Sequence, residues 1–215
     1  MSREITLIDY GVGNLFSVAR ALEHCGAQVS ISADPDEVRR ASNLLLPGVG
    51  AFGNGMQRLS EKGIDLAVKE AVSRGTPLLG VCLGMQLLLD SSDEFGLGHG
   101  LGLIPGKVVA IPEQKADGSR LKIPHIGWNG LILPSGRKSW QGSLLESTPV
   151  GTPMYFVHSF MACPDAPGHR LADCLYGDTR VAAMIGRDNV WGAQFHPEKS
   201  GEAGLKVLRH FVERS

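Results

Sequence analysis

Short apolar runs alternate with stretches of helical period through the first half of the chain. The runs have the length and aliphatic content of buried strands, and between them apolar residues recur every three or four positions, as in amphipathic helices. Strands that alternate with helices pair in parallel, with helices on both faces of the sheet. This half therefore predicts an α/β fold with an open, mostly parallel central sheet. The predicted strands are Ile5 to Asp9, Gln28 to Ile31, Asn43 to Leu46 and Pro77 to Val81, and the predicted helices span about 15–25, 36–41, 55–62, 64–73 and 83–89.

The pattern changes from Gly106 onward, where short strand candidates are separated by Gly, Pro and Asp turns. Closely spaced strands of this kind pair antiparallel, so we expect a smaller antiparallel section from the second half. The chain ends in a predicted helix over Ser200 to Val212. No repeat or linker-like segment interrupts the sequence, which predicts a single domain over residues 1–215. The strand candidates are Lys107 to Ile111, Leu121 to Pro124, Gly130 to Leu133, Met154 to Phe160, Leu171 to Tyr176, Val181 to Ile185 and Val190 to Gln194.

Candidate chemistry begins at Gly80-Val81-Cys82-Leu83-Gly84, where the fourth predicted strand meets a helix. This G-x-C-x-G pattern is the thiol analogue of the G-x-S-x-G elbow that presents a nucleophile. The helix N-terminus favours a thiolate over a thiol. The alternative is that Cys82 is a small buried hydrophobe, the commoner fate of an intracellular cysteine. The elbow context favours the nucleophile.

A nucleophile needs a base and a group that orients the base, and Gln194-Phe195-His196-Pro197-Glu198 supplies candidates for both. Residues two apart in an extended segment point to the same side, so His196 and Glu198 can face Cys82 together. Taken alone, the pair is more readily explained as an ordinary surface histidine beside a surface glutamate. Together with the elbow they predict a Cys-His-Glu triad.

The loop Leu46 to Gly53, rich in glycine, follows the third predicted strand and can supply a second oxyanion donor. The elbow offers the Leu83 N–H, and a peptide flip at Gly48-Val49 can turn an N–H inward. Asp9 to Asn14 resembles the start of a dinucleotide-binding turn. Its third glycine is replaced by Phe16, so a capped turn explains it better.

Composition narrows the class of protein. The chain has 215 residues, is 43% hydrophobic, and carries a net charge of −1, which predicts neither a nucleic-acid nor a membrane partner. The longest apolar stretch is too short to span a bilayer, and the start lacks a signal-peptide pattern. The four cysteines have no metal-site spacing and suit a reducing compartment, so we expect a cytoplasmic enzyme without metal or cofactor.

These motifs together resemble the class I glutamine amidotransferases over nearly the whole chain. The resemblance implies that Cys82 attacks the amide carbon of L-glutamine, that Leu83 and Val49 or Gly50 donate N–H groups to the oxyanion, and that His196, oriented by Glu198, moves the protons. Phe160 stands where tyrosine is frequent in the similar members, which removes a hydroxyl contact there. By the same resemblance, the glutamine-binding residues are Gly48, Gln86, Glu94, Ser159 and Phe160.

Finer segments, such as Pro124 to Asn129 and Tyr155 to Phe160, resemble members that work in histidine biosynthesis beside a separate cyclase subunit, a β/α barrel. Ammonia released into water would protonate, and this chain has no room for an acceptor domain, so a heterodimer with a protected ammonia route is implied. Three alternatives stay open: the glutaminase subunit of another ammonia-using synthase, a γ-glutamyl hydrolase without a partner, and a non-catalytic regulator. The resemblance places Asn14, Trp128, Tyr155 and Lys199 at the docking face and tunnel mouth.

Overall fold

The computed structural model describes residues 3–214, and its architecture rests on a nine-stranded mixed sheet. The strand order is β2-β1-β3-β4-β13-β12-β11-β8-β9, in which the five strands from β2 to β13 are parallel and the remaining pairs are antiparallel. The α/β class is as expected. The antiparallel strands β12, β11, β8 and β9 continue the parallel sheet. Its strands are β1 (Arg3–Ile8), β2 (Ala27–Ser32), β3 (Leu44–Leu46), β4 (Leu78–Val81), β8 (His125–Ile132), β9 (Pro153–His158), β11 (Arg170–Tyr176), β12 (Thr179–Arg187) and β13 (Val190–Ala193).

Helices cover both faces of the parallel part, and alternation along β1 shows how. Leu7 belongs to a core cluster with α1 and α6, whereas Ile8, one residue on, belongs to a second cluster with α3 and α4. Successive strand residues point to opposite faces, so each face of the sheet has its own buried core. The helices are α1 (Leu15–His24), α2 (Pro35–Arg40), α3 (Phe52–Glu61), α4 (Ile64–Ser73), α5 (Leu83–Leu87) and α6 (Gly201–Glu213).

A second, four-stranded sheet has the order β10-β7-β5-β6 and contacts α5 through β10. The predicted strand Met154 to Phe160 is divided at Ser159: β9 belongs to the large sheet and β10 pairs antiparallel with β7. The chain therefore crosses between sheets beside the Cys82 elbow. The strands of this sheet are β5 (Ser91–Ser92), β6 (Gly98–His99), β7 (Gly106–Ala110) and β10 (Phe160–Pro164).

Several sequence-based elements differ from the structure: β8 begins at His125 and not at Gly130, α3 begins at Phe52 and not at 55, and two further differences have a visible cause. Leu121 to Pro124 forms no strand, because the Leu121 N–H donates to the Glu113 carbonyl at 2.7 Å within a loop that folds back on itself. Helix α5 ends at Leu87 and not at Leu89, because the carbonyls of Leu87 and of the two residues after it accept hydrogen bonds from the loop 101–104. Those bonds replace the next helical turn.

Candidate active site

The elbow places Cys82 in a strained conformation between β4 and α5. Its φ of 55° and ψ of −112° lie where a non-glycine residue is rarely found, and such strain persists only where the surroundings impose it. The backbone on both sides is packed too closely for side chains. A Cβ on Gly80 would lie 2.6 Å from the Gly84 carbonyl oxygen, and one on Gly84 would overlap the Leu46 carbonyl. Glycine is therefore required at both positions.

Sheet pairing brings the His196 segment to the elbow. β13 lies parallel to β4, and the Cys82 N–H donates to the Ala193 carbonyl at 2.7 Å. The chain then leaves β13 and reaches His196 three residues later, at the same end of the sheet. The His196 N–H donates to the Tyr155 carbonyl at 2.9 Å, which fixes this turn against β9.

His196 and Glu198 form a buried pair. Nδ1 of His196 lies 2.9 Å from Oε1 of Glu198, and the two side chains are 5% and 3% exposed. Burial by itself lowers the pKa of His196, but interactions with Cys82 and Glu198 outweigh it and raise that pKa to about 9. With Nδ1 held by Glu198, the ring is oriented and Nε2 is left without a hydrogen bond among the described residues. His196 is thus an oriented ring, protonated near neutral pH, that interacts with Cys82.

The predicted oxyanion loop is present, but the donor at the elbow, the Leu83 N–H, is already hydrogen-bonded to it. The Leu83 N–H donates to the Gly48 carbonyl at 3.3 Å, so that carbonyl occupies the position expected for an oxyanion. The preceding carbonyl, of Pro47, accepts a hydrogen bond of 2.7 Å from the buried hydroxyl of Tyr10. Val49 is 47% exposed, and Gly50 has a φ of +105° that favours glycine. A flip of the Gly48-Val49 peptide would free the Leu83 N–H.

A cleft of about 440 Å³ opens at Cys82. Phe52, at the start of α3, donates its N–H to the Glu94 carboxylate at 2.6 Å, which holds Glu94 at the cleft wall. The carbonyl of Ser159 accepts from the Ile111 N–H, so it is already bonded within the protein. Of the predicted residues, the cleft brings together Val49, Gly50, Cys82, Leu83, Gln86, Glu94, Ser159 and Phe160; sequence reasoning did not place Phe95, Pro124, Val157 and His158 there.

Comparison with known proteins decides the family. The family model for class I glutamine amidotransferases matches residues 6–214. The imidazole glycerol phosphate synthase subunit HisH of Geobacillus sp. (strain WCH70) is 50% identical over 210 residues, covering 97% of this chain and 95% of that protein. Subunit HisH 1 of Legionella pneumophila (strain Lens) is 47% identical over 209 residues, covering 97% and 98%. The chain belongs to the class I glutamine amidotransferase family.

Solved structures agree with this amidotransferase at the level of fold. One chain of the PurLQS structure from Thermotoga maritima aligns with a TM-score of 0.72 at 19% identity, covering 100% of this chain and 99% of that one. A crystal structure titled glutamine amidotransferase aligns with a TM-score of 0.71 at 18% identity, covering 97% of both chains. At this identity, the match supports the fold and does not discriminate between substrates.

Three of the four residues expected at a partner surface of the amidotransferase lie together. The rings of Trp128 and Tyr155 meet edge to face at 5.9 Å, and the Lys199 ammonium lies 5.9 Å from the Tyr155 ring centre. Trp128 is 56% exposed, unusual for a tryptophan in a globular domain. Asn14 instead caps α1, where its side-chain oxygen accepts from the Ser17 N–H at 3.2 Å.

Residues 3–214 hold no group of three or more His, Cys, Asp or Glu side chains arranged to bind a metal. In the same residues, no helix has both the length and the apolar character needed to cross a bilayer.

Proposed function

We propose that this chain is the glutaminase subunit of an imidazole glycerol phosphate synthase. In this proposal the Cys82 thiolate attacks the side-chain amide carbon of glutamine and forms a glutamyl thioester. His196 gives its proton to the departing ammonia and then activates water, which cleaves the thioester to glutamate. Glu198 orients His196 and stabilises its charged form, a division of roles that the 2.9 Å contact and the raised pKa of His196 support.

The oxyanion of the tetrahedral intermediate requires donors, and we assign them to the N–H groups of Leu83 and of Val49 or Gly50. The Leu83 N–H is bonded to the Gly48 carbonyl in this conformation, so the glutaminase reaction requires that bond to break first. Each preorganised donor contributes about a hundredfold or more to the rate. A resting enzyme with this donor blocked should therefore hydrolyse glutamine slowly.

The cleft beside Cys82 suits a glutamine head group. Glu94 can pair with the α-amino group of glutamine, because it lines the cleft and the Phe52 N–H at the start of α3 holds its carboxylate there. Gln86, one helical turn beyond Cys82, supplies a side-chain amide to the cleft. Ser159 and Phe160 form part of the cleft wall, where the chain passes from β9 to β10. Gly48 belongs to the site through its carbonyl, which must leave the oxyanion position.

Ammonia must reach an acceptor without meeting water, and the proposal assigns the acceptor site to a β/α-barrel cyclase subunit in a heterodimer. The cyclase would form imidazole glycerol phosphate and AICAR in histidine biosynthesis. The surface cluster of Trp128, half-buried Tyr155 and Lys199 supports a docking face close to the active site, because the Tyr155 carbonyl accepts from the His196 N–H. Asn14 is retained as a docking residue from the resemblance alone.

The observation that carries this proposal is identity of 44–50% to HisH subunits over 97–98% of the chain. The proposal includes a single glutaminase domain over residues 1–215 and a cytoplasmic location, which four free thiols support.

The test is glutaminase activity of the purified chain, alone and with a barrel-type cyclase from the same genome. We expect low activity alone and strong stimulation when the cyclase carries its phosphorylated substrate. Full activity of the isolated chain would instead indicate a γ-glutamyl hydrolase. Stimulation by a different synthase, and none by the cyclase, would indicate another ammonia-using enzyme.

A further inference from the structure

Gln194 has no role in the mechanism above, yet its side chain reaches the reactive sulfur. It follows Ala193 at the end of β13 and is fully buried. Its Nε2 lies 3.7 Å from the Cys82 Sγ, within the range of an N–H to sulfur hydrogen bond, and its Oε1 accepts from Gln86 Nε2 at 3.0 Å. A buried amide that hydrogen-bonds a nucleophile can change the protonation state of that nucleophile.

The orientation of this amide follows from the Phe160 carbonyl, which accepts from Gln86, and a chain of hydrogen bonds from β8 and β9 holds that carbonyl in place. The Phe160 carbonyl only accepts, so His158 must donate to it from Nδ1, at 2.7 Å. Burial lowers the pKa of His158 to about 3 and that of His125 to about 4, so both rings are neutral near pH 7. The Nε2 of His158 is then an acceptor, and His125 must donate to it from Nδ1, at 2.9 Å.

The same reasoning fixes both ends of the chain. The Nε2 of His125 accepts from Asn129 Nδ2 at 2.9 Å. At the other end, the Phe160 carbonyl accepts a second hydrogen bond from Gln86 Nε2 at 3.2 Å. The other Nε2 hydrogen of Gln86 is donated to Gln194, so both are used. Reversing the Gln194 amide would place its NH₂ group against the NH₂ group of Gln86.

We propose that Gln194 is a catalytic hydrogen-bond donor to the Cys82 sulfur, and that the His158–His125 pair positions it through Phe160 and Gln86. This rests on the proposed role of Cys82 as nucleophile. A hydrogen bond to the charged form of a group favours that form, so the donor stabilises the thiolate before it attacks glutamine.

Other groups also act on this sulfur, and the test must separate Gln194 from them. His196 approaches from the turn after β13, and the buried Tyr10 hydroxyl approaches from the loop after β1. Glu94 and His158 line the same cleft. All four side chains are still present when only residue 194 is replaced, so a difference between variants reports the amide.

The experiment measures alkylation of Cys82 by iodoacetamide between pH 5 and 10 in the full chain, read by mass spectrometry on the peptide that carries Cys82. The variants are Gln194→Met, which removes the donor at similar volume, and Gln194→Glu, which puts a carboxylate there. We expect the midpoint of the pH profile to rise by about one unit in Gln194→Met, equivalent to about 1.4 kcal/mol, and further in Gln194→Glu. The exposed Gln141→Met is the matched control and should keep the wild-type midpoint.

Superimposable profiles for wild type and a folded Gln194→Met would overturn the proposal. The reaction needs neither glutamine nor a cyclase, so the outcome is independent of whether the synthase assignment is correct. Nitrogen-15 NMR of the imidazoles tests the positioning chain in the wild-type protein, whatever the stability of the variants. We expect Nδ1–H tautomers for His125 and His158 that do not titrate above pH 5, and an Nε2–H tautomer at His158 would contradict the chain.

Discussion

Replacing Gly80 by alanine tests whether close packing under the elbow sets the position of Cys82. The new Cβ would lie 2.6 Å from the Gly84 carbonyl oxygen and 2.8 Å from the Met85 nitrogen, both in the first turns of α5. Ordinary contact begins at 3.4 Å, so the start of α5 must move away from β4 by about 0.8 Å. That movement carries Cys82 and Leu83 with it.

The size of both effects follows from that displacement. Overpacking of this kind costs about 1–3 kcal/mol of unfolding free energy. In a chain of this length, each kcal/mol lowers the melting temperature by about 2–4 °C. A displacement of reacting groups near 1 Å lowers turnover on the order of a hundredfold, so we expect glutaminase activity to fall even in the fraction that remains folded.

The assay combines urea unfolding, followed by far-UV circular dichroism, with glutaminase turnover in the presence of the loaded cyclase. Gly168→Ala is the matched control, because no atom lies within 4 Å of a Cβ built at that position. It should change neither quantity appreciably. If Gly80→Ala matches the control in both unfolding free energy and turnover, close packing at Gly80 does not set the position of Cys82.

Two further predictions concern the buried His196 and Glu198 pair. Glu198→Gln removes the charge 2.9 Å from Nδ1 of His196, so glutaminase turnover should fall on the order of a hundredfold. The exposed Glu202→Gln is the control and should keep the wild-type turnover. Equal steady-state rates for the two variants would contradict the orienting role of Glu198. Because the folded-state pKa of His196, about 9, exceeds the unfolded value of 6.5, its proton stabilises the fold below pH 6.5, and this contribution is lost as pH rises through 9. Urea unfolding from pH 6 to 10 should show this loss, up to about 1.4 kcal/mol per pH unit, and a His196→Asn variant with the same slope would contradict it.

Much of the candidate site could be predicted because short sequence motifs contain its reactive residues. The glycines around Cys82 and the His196-x-Glu198 spacing each specify a geometry within a few residues. Parallel pairing of β4 with β13 then brings the two motifs together. An alternation of strands and helices is enough to predict that kind of pairing.

The contacts that the sequence did not reveal are long-range. Tyr10 holds the Pro47 carbonyl across 37 residues, and Gln194 reaches Cys82 across 112. No periodicity or spacing encodes such pairs, since they depend on how neighbouring strands stack. The division of the predicted strand at Ser159 has the same origin, because only tertiary packing decides that β9 and β10 enter different sheets.

In the proposed function, Cys82 generates ammonia that is used on another polypeptide. The most direct test compares Cys82→Ala with wild type in the reconstituted complex, supplying either glutamine or ammonium salt and measuring formation of imidazole glycerol phosphate. We expect the variant to lose glutamine-dependent synthesis and to keep ammonia-dependent synthesis near the wild-type rate. Retention of glutamine-dependent synthesis, or loss of both activities in a folded complex, would contradict it.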